Sequence, residues 1–172
     1  VAWKRLHIGP WITVQPTLRG LNQFTARMAP EDLFKSVRGS LEEVLTELHR
    51  DVVRSTPEAS GDTRLGIAID INGTTIENLN GRVFSQDEHF RILEFGRTPG
   101  AKMPPAGPIR KWMQDVGIED DLKGSVLFTI RRRIGRRGLP ALYIMHEALT
   151  RQRPSFKVVF MRRFIEDWNA RH

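Results

Sequence analysis

The chain has 172 residues, 40% apolar and 27% charged, which is enough for one compact domain with a real core and too little for two full ones. It has no cysteine, excluding disulfides, thiolate chemistry and the common structural zinc sites, and it has no run near the roughly 20 apolar residues of a membrane span. The net charge is +7: basic and acidic residues balance at 13 each through residue 109, and basic residues outnumber acidic ones 14 to 7 from residue 110 onward.

Residues 1–8 lack the apolar core and small-residue cleavage site of a secretory signal, so the protein is expected to stay in the compartment where it is made. Residues 1–29 read as an N-terminal strand or arm. Ile8, Trp11, Ile12 and Val14 suit a strand interrupted by Pro10, and Leu18, Leu21 and Phe24 suit a short helix or an arm. Pro30, followed by Glu31 and Asp32, is a helix start, and apolar residues then recur at three- and four-residue spacing from Leu33 to Val52. This predicts a long amphipathic helix over residues 31–55 whose stripe faces the core.

The period then changes. Leu65, Ile67, Ile69 and Ile71 alternate with small or polar residues, which is the pattern of a half-buried strand, and Asn72-Gly73 supplies a tight turn. A second strand is expected over residues 74–79, a third around Val83 and Phe84, and a fourth through Phe90, Ile92, Leu93 and Phe95, making an antiparallel meander. Residues 97–107 are too rich in proline and glycine for helix or central strand. Pro108 opens a short helix over residues 108–116 capped by Gly117, and a basic helix follows over residues 120–137 with Gly138 as its cap. Two more helices are expected, over residues 141–151 and around the aromatic stripe Phe156, Phe160, Phe164 and Trp168. The fold class is therefore α+β. An antiparallel meander is packed by a long N-terminal helix and followed by several short helices. The single domain divides into an arm (1–29), a helix-plus-sheet core (30–117) and a basic helical region (118–172).

The basic helix carries the densest charge. Leu122, Val126, Ile130 and Ile134 mark its apolar side, and Arg131, Arg132, Arg133, Arg136 and Arg137 cover much of the other. Such a face is either solvated, paired with the acids of a neighbouring protein, or placed against the phosphates of DNA, which clustered arginines bind without reading sequence. No aromatic residue is interleaved among these arginines, which argues against a platform for single strands.

Catalytic chemistry has little to stand on. His7, His49, His89, His146 and His172 show no metal-ligand spacing, and the chain has neither a phosphate-binding glycine loop nor a Gly-x-Ser-x-Gly elbow. The nearest approach to a metal-dependent nuclease is Asp70 with Asp121 and Lys123, but Glu119-Asp120-Asp121 precede the basic helix, where acids compensate the helix dipole. No enzyme activity, metal or cofactor is expected.

Three motifs in fixed order carry a resemblance. Glu94-Phe95-Gly96-Arg97 is followed by Met103-Pro104-Pro105, then by Pro140-Ala141 leading through Tyr143 and Met145 to Ala148-Leu149. Together with the long helix, this order over residues 31–149 resembles the tail-completion, or minor tail component, proteins that join head to tail in the neck of tailed bacteriophages. Arg97 stands where threonine is common in that family, and Leu142-Tyr143-Ile144 replaces a more usual Arg-Pro-Phe.

The resemblance implies a structural virion protein without catalysis. It implies a homo-oligomeric ring, commonly a hexamer, held between the neck connector and the tail terminator or tail tube, with double-stranded DNA passing non-specifically along its axis. Assembly would take place in the host cytoplasm, away from membranes. Glu94, Phe95, Arg97, Met103, Pro104 and Pro105 then become expected contacts between subunits, and the five arginines expected contacts to lumen DNA or to an acidic partner. The alternative is a free-standing basic nucleic-acid-binding protein acting in DNA packaging or replication.

Overall fold

A computed structural model describes residues 2–8, 11–17, 27–57, 62–119 and 124–170. Two strands, β1 (Ala2–Ile8) and β2 (Trp11–Thr17), pair antiparallel, with Ile8 opposite Ile12 and Ala2 opposite Thr17. The expected short helix or arm at Leu18, Leu21 and Phe24 lies outside the described residues. The long helix α1 (Pro30–Ser55) begins with proline in its first turn and Glu31 and Asp32 beside the positive end of its dipole. After a single turn, α2 (Asp62–Leu65), come β3 (Ile67–Asn72) and β4 (Asn80–Ser85). The remaining helices are α3 (Glu88–Phe95), α4 (Ala106–Asp115), α5 (Ser125–Arg137), α6 (Ile144–Gln152) and α7 (Phe156–Asn169).

The fold is α+β, with every strand pair antiparallel and spatial order β1-β2-β4-β3. The chain leaves β2 through α1, enters the sheet at its far edge as β3 and turns back as β4 to fill the gap beside β2. Two of the expected strands are absent. Residues 74–79 form turns, because the Asn78 side-chain oxygen accepts the backbone N–H groups of Thr74 and Thr75, both at 2.9 Å, and so competes with a ladder. The stretch containing Phe90 and Phe95 is the helix α3. The Asp87 carboxylate accepts the His89 N–H at 2.8 Å as its N-cap, and Gly96 ends it at φ 71°.

α1 organises the core. Its buried stripe of Leu33, Val37, Leu41, Val44, Leu45, Leu48 and Val52 meets β3 and β4, and also α6 and α7. Ile12, Val14, Ile67 and Val83 come from the sheet; Met145, Phe156, Phe160 and Phe164 come from the helices. Phe160 and Phe164 lie with rings nearly parallel, 9° apart in plane. Small residues allow close approach: Gly39 faces Asp167 of α7, and Gly81 of β4 sits directly under Leu45 and Leu41, leaving no room for a side chain. No helix among the described residues is long and apolar enough to cross a membrane.

α4 and α5 stand apart. They pack on each other around Met113 and Leu127, and neither residue belongs to the main core. α4 starts two residues before Pro108, which fits within the first turn where its missing N–H costs nothing. α5 begins at Ser125 behind Gly124 rather than at residue 120; residues 120–123, including Leu122 and two of the three acids expected before the helix, Asp120 and Asp121, lie outside the described residues.

Replacing Leu45 by alanine would leave a cavity where α1 crosses β4, and the expected loss is about 2–5 kcal/mol of unfolding free energy in urea titration. A loss below about 1 kcal/mol would show that α1 is not the centre of the core.

A clasp that carries an arginine helix

The first and last of the three motifs meet in one place. Glu94, in the last turn of α3, is fully buried, and its carboxyl oxygens accept the backbone N–H groups of Met145 at 2.8 Å and His146 at 3.3 Å. These are orphan donors in the first turn of α6, so a residue fifty positions upstream caps that helix from the side. The backbone completes the joint. Leu142 and Tyr143 donate to the carbonyls of Leu93 and Glu94, and Arg97 and Leu139 exchange a pair of N–H···O bonds at 2.9 and 3.0 Å. Two glycines allow the strands this close: a Cβ on Gly96 would lie 2.5 Å from the Leu139 oxygen, and one on Gly138 would collide with the Arg97 carbonyl. Both have φ near 70°.

The proline-rich loop is tied to α5 from this joint. Gly100 donates to the Gly135 carbonyl at 2.9 Å, Arg131 Nε donates to the buried Pro104 carbonyl at 2.8 Å, and Met103 packs where Gly135 lacks a side chain. The Arg97 guanidinium donates to the Lys102 carbonyl, while its Nε is buried without an acceptor among the described residues. Pro105 is exposed and immediately precedes α4. Of the six residues expected at a subunit contact, Glu94, Arg97 and Pro104 therefore hold the chain to itself, whereas Phe95, Met103 and Pro105 remain at the surface.

The arginines separate in the same way. Arg131 is half-buried against the proline-rich loop; Arg132, Arg133, Arg136 and Arg137 are exposed, and no ion pair engages them among the described residues. Other arginines of the basic C-terminal region are paired: Arg151 with Asp51 at 3.2 Å, Arg162 with Glu43 and Glu47 at 3.5 Å, and Arg163 with Asp167 at 3.2 Å. The four on α5 stand in like-charged i,i+4 pairs, each of which destabilises an isolated helix by a few tenths of a kcal/mol. Their position in the last turns offsets part of this through the helix dipole.

The residues considered for catalysis are dispersed. Asp70 is a cross-strand partner of Arg82, 2.8 Å away; its hydrogen bond from Asn72, and then the Arg82 guanidinium, hold its carboxyl below the ordinary aspartate value. Asp121 and Lys123 lie outside the described residues. His49 is bonded to the Ile67 carbonyl and His146 packs edge-on against Tyr143. No group of three or more histidine, aspartate and glutamate side chains among the described residues is placed to hold a metal. A shallow polar recess lined by Glu47, Arg50, Asp51, Arg54 and Gln152 holds no nucleophile beside a base.

Sequence reasoning singled out Glu94 but not its work as an internal cap. The signal that would have revealed it is its place at i+4 from Phe90, which counts only once the segment is read as a helix rather than a strand. Gly138 caps the basic helix as expected, but its approach to Arg97, the bridge at Leu139 and the left-handed conformation of Tyr143 had no sequence signal.

Glu94→Ala would leave the buried Met145 N–H and the part-buried His146 N–H without their acceptor, and we expect a loss of about 2–4 kcal/mol in urea unfolding, with Glu94→Gln losing less because one acceptor oxygen remains. Equal stability of all three proteins would remove the cap from this account.

No protein-family model, curated protein or solved structure matches this chain.

Proposed function

We propose that the protein is a structural virion component of a tailed phage or prophage-derived particle. It sits at the head–tail junction as a homo-oligomeric ring, taken as a hexamer, between the neck connector and the tail terminator or tail tube. It is assembled in the host cytoplasm and performs no chemistry of its own. One observation carries this reading: the first and last of the three motifs that resemble tail-completion proteins, about fifty positions apart, meet in a single clasp, and the middle one is bonded to the helix that follows it. The exposed arginines of that helix have no ion-pair partner among the described residues.

Exposed arginines on a hydrogen-bonded mount suit either an acidic neighbour in the neck or the phosphates of DNA in the channel. DNA has to slide through such a channel, so contacts to it must each be weak. Exposed charge pairs, at about 0–1 kcal/mol, satisfy that requirement. The second reading is a free-standing basic protein that binds nucleic acid during packaging or replication, and the same four exposed arginines favour it. The two differ in assembly. A neck protein makes an oligomer of defined size with little affinity for DNA on its own, whereas a DNA-binding protein binds tightly as monomer or dimer and loses affinity steeply with salt.

Two measurements separate them. Particles labelled for this protein are expected to show rotationally symmetric density at the head–tail junction, and particles made without it to accumulate as filled heads and unjoined tails. Absence of the protein from mature particles overturns the neck reading. If it is instead a DNA-binding protein, replacing Arg132, Arg133, Arg136 and Arg137 by glutamine lowers the slope of log affinity against log salt by about 3–4.

A further inference from the structure

The two ends of the α4–α5 hairpin carry opposite charge and share unfinished apolar burial. At its base, on the facing segments of the clasp, Phe95, Leu139, Leu142 and Tyr143 are between 39% and 52% exposed. Arg136 and Arg137, in the last turn of α5, adjoin them. At its tip, Trp112, Val116 and Ile118 are between 37% and 43% exposed, with the exposed acids Asp115 and Glu119 among them. Phe128, in the first turn of α5, is 49% exposed at the same end. The sequence adds Asp120, Asp121 and Lys123 directly after, so residues 115–123 carry four acids and one base. No ion pair engages Asp115, Glu119, Arg136 or Arg137 among the described residues.

These patches cannot serve each other within one molecule. α5 has 13 residues and runs from the tip to the clasp, which sets the two ends about 20 Å apart. Nor does either patch suit a copy of itself, since base on base places arginine against arginine and tip on tip places acid against acid. Like charges brought together at an interface cost several kcal/mol.

We infer that the tip of one copy docks on the base of the next. Trp112, Val116 and Ile118 would cover Phe95, Leu139 and Tyr143, with Asp115 and Glu119 against Arg136 and Arg137 at the rim. An apolar centre with a complementary charged rim is the usual anatomy of a specific interface. Because the two surfaces differ, the contact is head-to-tail, and such contacts close into a ring when the rotation per subunit permits. Tyr143 fits this role. It is the one non-glycine residue with positive φ among the described residues, a conformation that costs about 1–2 kcal/mol and keeps its ring on the surface. The inference rests on the ring proposed above and names the surfaces that build it.

The absence of native cysteine makes the test direct. Purified full-length Leu139→Cys and Ile118→Cys proteins are mixed and oxidised. A mixed disulfide dimer is expected in at least about tenfold excess over the self-dimer of either, and the protein carrying both substitutions is expected to give a ladder of products. Adding Arg136→Glu and Arg137→Glu to the Leu139→Cys protein should suppress the mixed dimer about tenfold or more, and Asp115→Lys with Glu119→Lys on the other protein should restore it. Circular dichroism melts establish that each variant is folded; if a cysteine variant is lost, the same charge reversals in the cysteine-free protein are read by sedimentation, where either pair alone is expected to dissociate the oligomer and both together to restore it. A mixed product no more abundant than the self-dimers, or a yield indifferent to charge reversal, overturns the interface. Particle imaging keeps the two proposals distinct. A ring at the junction whose cysteine pairs fail to link removes the interface alone, and a ladder formed by a protein that mature particles lack removes the neck assignment alone.

Discussion

The carboxyl group of Glu94 is fully buried, and burying it among apolar side chains would cost several kcal/mol if its oxygens went unpaired. The first turn of α6 provides the compensation: two backbone N–H groups that have no partner in their own helix, at the positive end of a helix dipole. Each group thus meets the other's requirement, and α3 and α6 are fixed relative to one another by polar geometry as well as by packing. α6 in turn presses Met145 and Ala148 into the core against α1, and the chain on either side of the joint carries the α4–α5 hairpin. Loosening this contact would disturb the core and the mount of the arginine helix together.

The elements with long, unambiguous periodicity were legible in the sequence. α1 announced itself through Pro30 and its heptad-like stripe, and α7 through aromatics four residues apart. Short apolar segments misled. Phe90, Ile92, Leu93 and Phe95 suit a strand by residue type, and only the flanking Asp87 and Gly96 reveal a helix with both ends capped. The stretch 74–79 has strand-forming threonines, yet a single asparagine side chain bonding two backbone donors is enough to hold it as turns. Strand order was beyond reach for a different reason: the β1-β2-β4-β3 order depends on how α1 crosses the sheet, a tertiary property with no local marker. At the candidate site, the arginine run was visible as composition. Which of its members are tied down was not, because Arg131 is held by a carbonyl far away in sequence at Pro104.

Charge in the C-terminal third is consequently of two kinds. Arg151 and Arg162 bind α6 and α7 to acids on α1, Arg163 pairs with Asp167 within α7, and their charge is spent within the fold. The exposed arginines of α5 have no ion-pair partner among the described residues, and the helix tolerates their mutual repulsion. The same net charge thus contains a structural part and a part presented to the outside, and the second belongs to a helix that contributes nothing to the main core.

The pairing of Arg97 with Leu139 means that the chain leaves the core and returns to it at neighbouring points. Everything between, about 40 residues, is in topological terms an inserted cassette whose entry and exit are already joined, and the entropy of closing such a loop rises only slowly with its length. A lineage could therefore lengthen, shorten or replace the hairpin while the sheet, α1 and the terminal helices keep their packing. Recognition could diversify as quickly as its partners do, on a body that changes slowly.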